Sequence, residues 1–421
     1  MKKTYLFLFL LSISITSVTG QTRQPQKIGD FIESTSYNEH RRGATRNLQY
    51  FPEGNDFVCI NGKNRFTRAL YGSHTEFRLE TSDRPVFASY IKNNCKHISF
   101  KLQTPKGNLS LDSVEHCESR YTAGRRSYTL TDPAFTEGKL LITTLALPHK
   151  DGAIWKFEIT GFNTFTPVLQ AFISEIRNPK LNRNGDMGAD PADSFEAPLQ
   201  PRQLQSCSKE IKGILYVLLN NQQLSILPPS EGATLFDQAE AARVRIASRI
   251  RIETPDPYFN TLGGTLAAAA DGIWDGEVWL HGAIGWRMPL SGWRAAYTGD
   301  ALGWHDRART HFNAYAASQV TQVPNTIPHP AQDSALHLAR SVKEWGTPQY
   351  SNGYICRNPH RNNQMHHYDM NLCYIDELLW HFNWTGDLAY ARQMWPVITR
   401  HLAWEKLNYD PDNDGLYDAY A

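Results

Sequence analysis

Ten of the eleven tryptophans lie after residue 270, and only Trp155 precedes it. Each indole carries a large apolar area that must be buried or used as a contact surface. The skew therefore predicts two bodies with different cores in one chain of 421 residues, a length suited to two or three domains. The hydrophobic fraction of 41% against 20% charged residues is that of a globular protein. A net charge of +1 gives no field for a phosphate backbone, so a nucleic acid is not the expected partner.

Residues 1–20 read as a secretory signal peptide. Met1-Lys2-Lys3 is basic, residues 5–18 are apolar, and Val18-Thr19-Gly20 places small residues before a cut at Gln21. The apolar stretch is shorter than the roughly 20 residues of a membrane anchor, and no later segment is long and apolar enough to span one. A periplasmic or secreted protein is expected. In that oxidising setting the even set Cys59, Cys95, Cys117, Cys207, Cys356 and Cys373 permits a few disulfides or buried free thiols. The irregular spacing signals neither zinc nor redox chemistry.

The periodicity changes at about residue 230. Before it, short runs at 66–71, 86–91, 98–102, 140–147, 153–160 and 213–219 are separated by Gly, Pro, Asn and Asp. Asp151-Gly152 marks a hairpin. A β-sandwich is expected over 21–229, with a polar loop at 178–208. After it, helical spacing predicts a linker helix within 230–256 and helices at 258–270, 305–319, 332–343, 368–382 and 388–407. Thr385-Gly386-Asp387 joins the last two, with Asp387 as N-cap. Residues 257–421 should thus form an all-α domain of helical hairpins.

The chemistry concentrates in 271–294, a Gly- and Pro-punctuated loop with four indoles: Trp274, Trp279, Trp286 and Trp293. Flat indoles stack on sugar rings, and the neighbouring Asp275, His281, Arg287 and Arg294 suit hydroxyl binding; the competing reading is core filling. Glycosidic cleavage takes two carboxyl groups, one to protonate the leaving oxygen and one to activate water or attack. Glu277 is the expected acid, with Asp369 and Asp418 as candidates for the base. His367 lies in a second polar cluster, Gln364 to Asn371, read as a helix mouth lining the cleft, and Asp369 can equally be that helix's N-cap. Three segments resemble metal loops without completing one. Asn182, Asn184 and Asp186 lack a correctly placed Gly, His366, His367 and Asp369 lack zinc spacing, and Asp410, Asp412 and Asp414 run to Ala421 where calcium needs Glu. No metal and no cofactor is expected, and the last loop reads more simply as a turn.

With these residues in view, the chain resembles the six-hairpin glycosidase superfamily. More narrowly, Ile273-Trp-Asp-Gly-Glu-Val-Trp-Leu-His-Gly282, Gly292-Trp-Arg-Ala-Ala-Tyr297 and Gly303-Trp-His-Asp-Arg-Ala308 resemble the DUF4450 family. The resemblance implies an (α/α)6 toroid, a carbohydrate-active hydrolase with its site at the toroid mouth, and a carbohydrate as partner. The helical part holds only about half the helices of such a ring, which implies a truncated toroid and possible loss of the second carboxylate. Inverting hydrolysis is the expected reaction. A polysaccharide lyase using Arg287, Arg294, His367 and Tyr368, or a catalytically incomplete glycan-binding protein, is the alternative.

Overall fold

The computed structural model describes residues 26–28, 31–33, 47–48, 50–63, 66–91, 94–176, 201–283, 287–292, 296–321, 352–361, 369–410 and 413–416. The chain divides into two compact units, Met1–Gln49 and Tyr50–Ala421. In the first, Gln26–Ile28, Phe31–Glu33 and Asn47–Leu48 form a small antiparallel sheet.

The second unit begins with two antiparallel sheets and continues as helices. The eight-stranded sheet runs from Gln223–Leu227 through Ile214–Asn220, Gly152–Thr160, Lys139–Ala146, Arg125–Thr131, His116–Thr122 and Asp56–Ile60 to Phe51–Glu53. The other runs from Gln203–Glu210 through Val168–Ser174, Asn94–Thr104, Val86–Ile91 and Arg78–Ser82 to Phe66–Tyr71, with Gly107–Ser110 paired to Asn94–Thr104. Alternating side chains from both sheets meet in one core. There Trp155 packs edge-on to Phe87 and Phe100 at 5.4 and 5.5 Å between ring centroids. The strands at 66–71 and 86–91 match their expected bounds. Part of the expected polar loop is instead the edge strand Gln203–Glu210, whose half-buried positions, Gln205 and Cys207, include a polar side chain and so give no run of apolar alternation. Residues 177–200, with Asn182, Asn184 and Asp186, lie outside the described residues.

No disulfide joins any two of the six cysteines, so of the sequence's alternatives the unbridged one holds. Burial pushes the thiols of Cys59, Cys95 and Cys117 up to about 12.

Helix α1 (Pro229–Ala247) does not span a gap between bodies. It lies on the outer face of the eight-stranded sheet, packing Ala239 and Phe236 against Leu145, Ile154 and Tyr216. Arg125 of the sheet meets Glu240 of α1 at 2.8 Å, and Arg243 closes on the same carboxylate at 2.7 Å. Burial raises the Glu240 carboxyl, but the two guanidinium groups outweigh it and hold the group below its ordinary range.

The helix expected at 258–270 is broken into α2 (Pro257–Asn260) and α3 (Gly263–Gly272). Gly263 and Gly264 start α3 against other backbone: a Cβ would stand 2.9 Å from the Ile250 carbonyl oxygen at the first and 2.8 Å from the Ala123 methyl and 2.9 Å from the Ala247 carbonyl oxygen at the second. Then follow α4 (Tyr297–Ala301), α5 (His305–Ala316), α6 (Asp369–Thr385) and α7 (Leu388–Tyr409). Helices α6 and α7 form the expected hairpin, with Gly386 at φ +62° and the Asp387 carboxylate accepting the Tyr390 N–H at 2.9 Å. At the acidic end the Asp410 carboxylate accepts the Gly415 N–H at 3.3 Å, while residues 411–412 and 417–421 lie outside the described residues. Residues 322–351, with the helix expected at 332–343, lie outside the described residues. Among the described residues no helix is long and apolar enough to cross a membrane.

The fit of α1 to the sheet rests on Gly232, where a Cβ would stand 2.4 Å from the Tyr216 ring. Alanine adds about 1 kcal/mol of helix propensity, but overpacking costs about 1–3 kcal/mol. Gly232→Ala is therefore expected to lower the urea midpoint, and Tyr216→Ala in the same chain should recover part of that cost. A Gly232→Ala protein as stable as the parent would contradict the packing account.

Candidate active site

The aromatic loop leaves α3 at Asp271 and is built from its base upward. Asp271 is buried; its carboxylate accepts from Ser73 Oγ on the sheet side and from Arg307 of α5 at 2.9 Å. The next carbonyl, of Gly272, accepts from Arg78 and, at 3.4 Å, from Arg287. Burial pushes the Arg78 guanidinium down to about 9, assisted by Arg287. Burial also lowers Arg287, against the opposing pull of Asp275.

From this base the chain makes a tight excursion. Trp274 and Trp279 pair as an antiparallel bridge, and Asp275 closes the turn between them. Its backbone N–H donates to the Val278 carbonyl at 3.2 Å, while its Oδ1 accepts the N–H groups of Glu277 and Val278 at 2.9 and 2.8 Å. Gly276 sits at φ +107°, which an L side chain rarely adopts. The turn therefore presents Glu277 at its tip, about half exposed (48%), where Oε1 meets His360 Nε2 at 2.6 Å. His360 is placed by its own N–H, which donates to the Ala314 carbonyl at the end of α5.

The same turn sends both flanking indoles inward. Trp274 is 3% and Trp279 1% exposed, with ring centroids 4.6 Å apart, and they join Trp304, Phe312 and Tyr315 in the helical core. Trp279 lies against bare backbone at Gly299, where a Cβ would stand 2.3 Å from the ring. This corrects the expectation that Trp274 and Trp279 are sugar platforms: their faces are already covered by protein. Arg287 is likewise engaged by Gly272, and Asp275 has Oδ1 committed to the turn. His281 is half-buried, and its backbone N–H donates to Met288 at 2.9 Å. Asp369 is the first residue of α6, inside the helix and not at the flanking cap position, and its side chain lies outside the described residues. So do Trp286, Trp293, Arg294, His367, Tyr368 and Asp418.

Three features were not anticipated from the sequence. His360 stands in Cys356-Arg-Asn-Pro-His360, a stretch without catalytic spacing. Asp300 is buried and accepts from His305 at 2.7 Å and His381 at 2.9 Å, an arrangement assembled from three elements. His311, fully buried, accepts the Trp279 N–H through Nδ1 at 3.2 Å.

Residues 93–249 match the family model described as a domain of unknown function, DUF4450. The matched segment runs from the longest strand to the end of α1 and stops short of the aromatic loop. No curated protein matches the chain. Among solved structures it is similar to a bacterial glucoamylase complexed with acarbose, at 8% identity and a TM-score of 0.34. The match covers 62% of this chain and 53% of the glucoamylase, so the chain spans about half of that protein's length.

His311 gives this site a testable signature. Burial pushes its imidazole down to about 3, and a proton on Nδ1 would remove the acceptor that holds Trp279. A depressed histidine contributes stability that is complete above its unfolded value, about 6.5, and is lost as pH falls toward 3. The His311 ring resonances should stay in the neutral form from pH 8 to 5 by NMR, while the thermal midpoint declines below about pH 6. A ring titrating near 6.5 would contradict the buried acceptor role.

Proposed function

We propose that the chain is an exported glycoside hydrolase, periplasmic or secreted, whose helices form part of an (α/α)6-type toroid. Glu277 is its general acid, and the base is drawn from Asp369 or Asp418. The reading is carried by one observation: a carboxyl group held at the tip of a rigid, capped turn, open to a ligand and joined to His360 at 2.6 Å. A fixed acid of this kind can deliver a proton to a leaving oxygen, and His360 can resupply it. A base placed about 6.5–9.5 Å away would make the reaction inverting. Support for the toroid comes from the α6–α7 hairpin, whose outward flank carries Trp380, Trp384 and Trp395 at 52–59% exposure. In a ring of hairpins a neighbouring hairpin covers such a flank.

A specific observation favours a second reading. Glu277 is half exposed rather than enclosed in an apolar pocket, which also suits a residue that only binds sugar hydroxyls. The lyase reading is weaker, because Arg287 is occupied by the Gly272 carbonyl.

Glu277→Gln should lower release of reducing ends from a cleaved glycan by about 10²–10⁴-fold, the usual contribution of a general acid, while glycan binding and the thermal midpoint hold. Unchanged turnover would remove Glu277 from the mechanism. Products absorbing in the ultraviolet would instead identify a lyase, and binding across a glycan panel with no turnover would identify the binding protein.

A further inference from the structure

A cavity of about 260 Å³ lies where α1 and α5 approach the sheets, lined among others by His74, His149, Arg245, Arg249, Asp271 and Arg307. It is open to water, since His149, Arg245 and Arg249 are exposed. Its charges do not balance. Arg307 is matched by Asp271, but among the described residues neither Arg245 nor Arg249 has a carboxylate within ion-pair distance. Arg249 donates to the backbone carbonyls of Leu302 and Gly303, at 3.0 and 3.4 Å, and lies over the Trp304 ring. The C-terminal dipole of α1 offsets only about half a charge. More than one positive charge is left facing the cavity.

His74 also lines the cavity, with its Nε2 covered by protein. Its ring packs against His149 at 4.7 Å between centroids, and both histidines adopt left-handed backbone angles, φ +61° and +57°. Two bulky residues in that region mean a backbone held by its surroundings and not by its own preference. Arg307 is fixed as well, its guanidinium 4.2 Å from the centre of the Trp304 ring and hydrogen-bonded to Asp271. Fixed donors, surplus cations and room for a small ligand occur together.

We infer that this cavity binds a tetrahedral oxyanion of the phosphate or sulfate type. Arg245 and Arg249 are its charge partners. Guanidinium groups pair with such oxygens through charge-assisted hydrogen bonds. The inference does not depend on the hydrolase reading, since none of these residues belongs to the Glu277 turn. The same chemistry is offered by a free ion and by an ester on a sugar.

Calorimetric titration of the full chain with inorganic phosphate and with glucose 6-phosphate decides the matter, with ionic strength held by sodium chloride because salt alone screens exposed guanidinium groups. Saturable binding of one equivalent is expected, weakened at least tenfold in Arg245→Gln/Arg249→Gln. It should be unchanged in Arg251→Gln, whose guanidinium is paired with Glu253 and does not line the cavity. Equal affinities would assign a free ion, and glucose 6-phosphate binding at least tenfold tighter would assign a sugar ester. No binding beyond the chloride control, or equal weakening by Arg251→Gln, would overturn the inference. Because the unaltered chain is titrated against chloride first, the result stands even if the double variant fails to fold.

Discussion

The ion pair between Asp271 and Arg307 is the contact on which the rest of the structure depends. Asp271 ends the helix that feeds the aromatic loop, Arg307 belongs to the next long helix, and Ser73 adds a hydrogen bond from the sheet region. A carboxylate 2% exposed is tolerated only with such partners, and removing one partner of a buried pair costs about 3–5 kcal/mol. A purely apolar contact would hold the two parts together but leave their relative rotation free. Directional bonds to one carboxylate fix it, and with it the starting direction of the excursion that carries Glu277.

From that base upward the excursion is over-determined. Two backbone N–H groups converge on Asp275, two indoles pack inward, and His311 accepts from the backbone of Trp279. The polar and apolar requirements are met by the same few residues, so the tip has little freedom although its side chain is open to water. Placing a functional carboxyl on such a turn keeps the position rigid while leaving the group accessible.

Much of the fold was legible because its signals are local. Alternation between Gly and Asp turns marked the strands at 66–71 and 86–91, and Asp387 announced its own cap. The edge strand Gln203–Glu210 was missed because its inward-leaning positions include Gln205, so polar residues stand on both faces and no alternation is left to read. The site was less legible for a geometric reason. An indole count reports how much aromatic area a loop carries, but its direction depends on a four-residue turn and on a bare backbone at Gly299, 20 residues further on. Glu277 stood out by type and setting, whereas His360 reaches it only through tertiary folding, at a separation of 83 residues.

The unbridged cysteines carry a consequence of their own. Where small exported domains borrow stability from covalent cross-links, the two sheets here are held by interlocking rings around Trp155, with Cys117 buried among them as an ordinary apolar neighbour. Thiols kept protonated at about 12 offer almost no thiolate to an oxidant or an exchange partner. The cohesion of the sheet core thus rests on ring packing and not on a covalent cross-link.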